Sequence, residues 1–174
     1  MPITRFLLGG ENGWSAAEYA RMTGDPRRQV TRLVDGPHVA LLRAYQDSPD
    51  CFDDDAWLRS TPYAQNALQC IAITGSYFGG CSDADVLTQA RAFASWLDDD
   101  STLAPPIQGR TTTGDPIFVR AVRRTEWYEI VDGHHRLARA AVRGDVTARV
   151  VVGLRAVAAP RPGDLPATAV AGLR

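Results

Sequence analysis

The spacing of apolar and polar residues changes several times along the chain, and each change marks a predicted element. In "GWSAAEYARMTGD" a serine stands three residues ahead of a glutamate, the capping-box spacing, so a helix is predicted from Ser15 to about Gly24. "RRQVTRLVDGPHVALLRAYQDS" begins with a β-leaning run from Val30 to Val34 and turns at Asp35 and Gly36. It then enters a helix opened by Pro37, with Val39, Leu42 and Tyr45 or Leu41 along one face.

From Pro49 to Asp100 the pattern is mostly helical. "DDDAWLRSTPYAQNALQCIAIT" and "SDADVLTQARAFASWLDDD" both place apolar residues at helical intervals, and Ser82 with Asp85 gives a second capping box. The glycine-rich linker "GSYFGGCSD" joins them. It has the makings of a lid, but aromatic residues beside glycine turns more often anchor packing, so Tyr77 and Phe78 are expected in the core. The acidic triplets Asp53 to Asp55 and Asp98 to Asp100 lack the alternating ligands of a calcium loop and are expected to decorate helix ends.

"STLAPPIQGRTTTGDP" reads as a loop, after which "IFVRAV", "RRTE" and "WYEIV" form strand, turn and strand of an antiparallel hairpin. A helix follows Gly133 and runs to about Arg143, closed by Gly144, with Leu137, Ala140 and Ala141 on its apolar face and Arg136, Arg139 and Arg143 on another. "VTARVVVG" is a last strand. The expected class is α/β (α+β), a small mixed sheet with a helical insertion over about 49–100, in a single domain of residues 1–156. The Pro-, Ala- and Gly-rich residues 157–174 read as a loosely ordered tail.

Composition narrows the chemistry. All 19 Lys+Arg residues are arginine. A Walker A phosphate loop and Schiff-base chemistry both need a lysine and are excluded, so any phosphate must be held by arginine, histidine, metal or backbone N–H groups. Residues 1–104 carry 8 Arg against 14 Asp+Glu and residues 105–174 carry 11 against 6, so the C-terminal part is basic. That excess suits a phosphorylated small molecule better than duplex DNA, which calls for a broader basic stripe. Cys51, Cys70 and Cys81 are an odd set without a C-x-x-C pair, and are expected as buried free thiols. No apolar run is long enough to span a bilayer and the N-terminal apolar stretch is too short for a signal peptide, which points to a cytoplasmic protein with no membrane partner.

The chemistry concentrates in "VDGHHRLARAAVRGD", residues 131–145. A strand ending in Asp132–Gly133 and passing straight into a helix aims first-turn N–H groups and the positive dipole end at whatever lies beyond the sheet. Gly133 permits a positive φ or a close approach by ligand, and Arg136 offers a planar fork to phosphate oxygens. His134 and His135 can donate to phosphate or move protons near neutral pH. Asp132 suits magnesium or a substrate hydroxyl, or else caps the helix.

"YEIVDGHHRLARAAVRGDVTARVVV" resembles the core motif of the ParB/sulfiredoxin-like superfamily: a strand, a Gly-x-x-Arg turn, an alanine-rich helix, a glycine and a further strand. The resemblance covers about residues 103–153, with "QVTRLVDGPHVALLRAY" as counterpart of the family's N-terminal strand and helix. Sulfiredoxins carry a nucleophilic cysteine where this chain has His134. Chromosome-partitioning ParB proteins carry Gly-Glu-Arg-Arg and a helix-turn-helix domain, for which little length remains. The Asp-Gly-His-His-Arg form is most similar to the stand-alone, free serine kinase-like members.

That resemblance implies an ATP- or ADP-dependent phosphotransferase acting on a small hydroxyl-bearing metabolite. Gly133, His134, His135 and Arg136 would cradle phosphates, with Asp132 or a histidine near Mg2+. The implied general base comes from the N-terminal region, where Asp35 and His38 are the candidates, with Glu129 a weaker one. Two alternatives stay open: a non-catalytic nucleotide- or ligand-binding regulatory module, and a ParB-like nuclease or DNA-binding protein. A nucleic-acid partner is not expected, and a homodimer through the inserted helices stays open.

Overall fold

A computed structural model describes residues 1–9, 15–24, 31–99 and 116–157. Among these, six α-helices pack with a four-stranded mixed sheet of order β1-β3-β2-β4. The strands are β1 (Phe6–Leu7), β2 (Ile117–Val122), β3 (Tyr128–Asp132) and β4 (Val150–Val157). The helices are α1 (Ala16–Thr23), α2 (Pro37–Asp47), α3 (Asp55–Ser60), α4 (Pro62–Thr74), α5 (Asp83–Ser95) and α6 (His134–Val142). None is long and apolar enough to cross a membrane.

Local chemistry accounts for most boundaries. The capping boxes at Ser15/Glu18 and Ser82/Asp85 form as expected, and Gly24 ends α1 at φ 70°. β2 and β3 make the antiparallel hairpin, with Arg120 opposite Glu129. α6 then leads to β4, which lies parallel to β2.

Four expectations are corrected. The run ending at Val34 is no strand within the described residues: Arg32 makes one bridge to Leu7, and Leu33–Asp35 is a 3-10 turn. Its sheet position is taken by Phe6–Leu7, which pair parallel with β3. The Arg32–Asp35 ion pair at 2.6 Å spans that turn while Leu33 is fully buried. The segment 53–74 is two helices, because Pro62 brings no N–H and holds Thr61 extended at ψ 148°, where the Thr61 hydroxyl accepts from Ala64 and caps α4. The last strand starts at Val150, later than expected, and runs to Val157. Only Cys70 is a buried thiol; Cys51 is half-buried and Cys81 exposed. The loop over 101–115 and the tail beyond residue 157 lie outside the described residues.

α2 is the hub of the helical layer, touching α4, α5 and α6. Val39 and Leu42 are fully buried in it and Leu41 nearly so, while Tyr45 packs on Phe52 at 5.1 Å. The face of α6 differs from the periodic expectation. Leu137 and Ala138 are its fully buried apolar residues, Ala140 and Ala141 are half-buried, and Arg136 and Arg139 are buried as well.

Arg139 explains part of this. Its guanidinium lies 4.4 Å over the Trp96 ring, donates from Nε to the Trp96 carbonyl at 2.9 Å, and donates from Nη2 to the Asp99 carbonyl. It thereby ties the residues following α5 to α6. Replacing Arg139 by Ala removes charge-assisted bonds and the ring contact together, an expected loss of about 3 kcal/mol in urea unfolding. Arg139→Lys should recover only part of it, since an ammonium lacks the planar fork. Full recovery by lysine would refute this account.

Candidate functional site

Three helices begin at one place. α2, α4 and α6 follow Gly36, Thr61 and Gly133, and their second residues are His38, Tyr63 and His135. These three side chains meet. The Tyr63 hydroxyl is 2.9 Å from His135 Nε2, and the His38 ring stands edge-on to Tyr63 at 5.3 Å and to His135 at 4.8 Å. His134, first residue of α6, stacks on His38 at 5.7 Å. Phe93 from α5 and Phe78 from the turn before it close around His135 at 4.4 and 4.8 Å. The Tyr77 hydroxyl lies 3.3 Å from His38 Nε2. The cluster contains all 3 histidines of the chain.

Gly133 makes the strand-to-helix corner possible. It sits at φ 98°, and a Cβ there would stand 3.0 Å from Ile117 Cγ1. It is the N-cap of α6, so no side chain caps that helix, and Asp132 does not serve as its cap. Asp132 instead accepts from Arg136 Nη2 at 3.0 Å, its own side chain 57% exposed while that of Arg136 is only 8% exposed. The other arm of the fork reaches the Pro116 carbonyl at 3.4 Å. In this structure the guanidinium is therefore turned toward protein groups at the corner, and the solvent-facing group there is the Asp132 carboxylate.

Two of the three histidines are enclosed and His135 is half-buried. His38 is fully buried and His134 nearly so. Burial, then the neighbouring charges of His134 and Arg136, push His135 down to about 3. His135 is therefore neutral at physiological pH. Its Nε2 shares a hydrogen bond with the Tyr63 hydroxyl, which can donate to the ring or accept from it according to the tautomer.

Of the other sequence candidates, Asp35 is exposed, paired with Arg32, and carried by a turn that packs against α6. Glu129 is buried, but strand alternation sends it to the face opposite Ile130, which belongs to the core beside Leu137. Tyr63 and Phe93 were not singled out for chemistry by the sequence, and Tyr77 only within the possible lid. Thr61-Pro62-Tyr63 does repeat Gly36-Pro37-His38: each is a helix start with a polar ring at the second position. Tyr77 is fully buried as expected, and Phe78 is half-buried at φ 46° in the tight turn joining Tyr77 to Gly80.

No group of three or more His, Cys, Asp or Glu suited to a metal occurs among the described residues. Magnesium in nucleotide sites commonly takes one or two carboxylates together with phosphates and water, and exposed Asp132 fits that smaller requirement. Compared with family models, curated proteins and solved structures, the chain matches none.

Proposed function

We propose that this chain is a nucleotide-binding phosphotransferase of the ParB/sulfiredoxin-like kind, acting on a small hydroxyl-bearing metabolite with ATP or ADP and Mg2+. The observation that carries the reading is the meeting of three helix starts at His38, Tyr63 and His135. Each helix start bears roughly half a positive charge from its aligned peptides, so their convergence favours an anion in a chain that has no lysine to offer. The order hairpin, α6, β4 and the glycine corner at Gly133 support the family likeness.

In this reading the first turn of α6 would hold the phosphates and the Asp132 carboxylate would hold Mg2+, which would supply charge neutralisation for the transferred group. His135 and buried His38 serve by packing and hydrogen bonding, since neither is an exposed proton acceptor. The general base falls to exposed Asp35: it takes the acceptor's hydroxyl proton as the oxygen bonds to the terminal phosphorus and the bond to the remaining nucleotide breaks.

Calorimetry with ATP or ADP and Mg2+ tests the binding step. Asp132→Asn is expected to weaken binding of the magnesium nucleotide at least tenfold, and Asp35→Asn to lower turnover by roughly a hundredfold or more while leaving that binding in place. Folded protein that gives no heat with any nucleotide would overturn the reading. The burial of His38 and His134 and the lowered pKa of His135 favour a second reading, a ligand-controlled module without catalysis. Nucleotide binding with no phosphate transferred to any hydroxyl compound would establish it.

A further inference from the structure

Between the first turns of α2 and α4 lies an open depression of about 680 Å³, lined by Pro37, Pro62, Gln65, Asn66, Leu68 and Gln69. Its lining is chemically specific. Three of the six residues are carboxamides and none is charged. Pro37 and Pro62 rest directly beside His38 and Tyr63, so the depression borders the same cluster that α6 reaches from the other side. Asn66 is buried, whereas Gln65 and Gln69 stand at the exposed rim. The Gln65 amide nitrogen donates to the Arg59 carbonyl at 2.8 Å, which orients that side chain and presents its oxygen as an acceptor.

The geometry points to this depression as the seat of the nucleotide's base, an inference that rests on the phosphotransferase reading. A nucleotide has a charged end and a neutral, planar end whose edge alternates donors and acceptors. An uncharged wall of carboxamides matches the neutral end, because an Asn or Gln amide offers one donor and one acceptor side by side, the pairing that suits an adenine edge. Pro37, Pro62 and Leu68 supply rigid apolar surface for the flat face of the ring. The phosphates would then run over the starts of α2 and α6 toward the Gly133 corner, with Asp132 and Arg136 apart from the base.

Gln65→Leu and Gln69→Leu test this, since both residues are exposed on α4 and their replacement leaves the core intact. Affinities for Mg2+–ATP, Mg2+–GTP and Mg2+–tripolyphosphate are measured on the full chain and on the double variant. The expected result is a loss of preference for ATP over tripolyphosphate of at least tenfold, with tripolyphosphate affinity unchanged. Wild-type binding of ATP with the same preference in the variant overturns the base site and leaves the phosphate reading standing. Equal weakening toward all three ligands also overturns it, because the glutamines would then not be reading a base. Absence of any binding by the wild-type chain overturns both.

Discussion

Gly9→Ala should destabilise the protein by about 3 kcal/mol or more, the largest effect expected of a methyl group added at any of the described glycines. Two residues after β1 the backbone crosses β3, and a Cβ on Gly9 would stand 1.7 Å from the Ile130 carbonyl oxygen and 2.9 Å from its carbon. No side chain can swing aside there, because the obstacle is backbone. The chain would have to lift off β3 close to the pairing of Phe6 with Tyr128 and Leu7 with Glu129. β3 ends at Asp132, so the same displacement would reach the α6 corner. Gly153→Ala is the control: its Cβ would find nothing nearer than the Val119 carbonyl oxygen at 3.5 Å, and stability should change by less than about 0.5 kcal/mol. Urea unfolding of both variants decides the matter, and a Gly9→Ala protein within 1 kcal/mol of wild type would remove the close approach as an explanation of why glycine stands there.

Acidification from pH 7 to 4.5 should cost the wild-type protein about 2–3 kcal/mol through His135 alone. Its ring titrates near 6.5 when exposed and is pushed down to about 3 in the folded chain. Between those values the unfolded state binds a proton that the folded state refuses. Stability therefore rises with pH across the window and is lost as pH falls from about 6.5 toward 3.

The groups facing this ring are Tyr63 on α4, His38 on α2, Phe93 on α5, Phe78 in the preceding turn, and His134 and Arg136 on α6. None is a carboxylate that could welcome the imidazolium. Carboxyl groups held below their usual range contribute at lower pH. Glu18 is lowered chiefly by the Ser15 hydroxyl, Asp55 by Arg91 and Asp85 by the Cys81 amide, and stabilisation from such groups is lost only as pH falls below the ordinary carboxylate range. The slope above pH 4.5 thus belongs to histidine. His135→Gln keeps a hydrogen-bond partner for Tyr63 and leaves His38 and His134 in place, so its unfolding free energy should vary less between pH 7 and 4.5 by about the same 2–3 kcal/mol. Equal slopes in the two proteins would show that His135 is protonated without cost.

How much of this was legible in the linear chain depends on the range of the interaction. The helix starts at Ser15, Pro37 and Ser82 are settled by residues within three or four positions, and the period of the apolar residues is enough to read them. The hairpin and the glycine corner at Gly133 are local in the same sense. The 3-10 turn at Leu33–Asp35 is not, because a run containing Val30, Leu33 and Val34 suits a strand until one knows that Phe6–Leu7 already occupies the parallel partner of β3. Likewise the arginines of α6 look solvent-facing by periodicity. Arg139 is buried because Trp96 and the Asp99 carbonyl arrive from 43 and 40 residues away to receive it.

The candidate site divides along the same line. Composition alone removed lysine-dependent chemistry, and the residues around Gly133 announced a strand-to-helix corner, since both depend only on which atoms the chain possesses and on backbone geometry over four or five residues. Only the tertiary structure decided that His38, Tyr63 and His135 belong together, that His134 is buried and His135 ringed by aromatic side chains, and that the Arg136 fork faces Asp132 and Pro116. Tyr63 and His135 are separated by 72 positions. Burial and charge are properties of the packed neighbourhood, and a one-dimensional pattern carries no information about which distant side chain removes the water from around a ring.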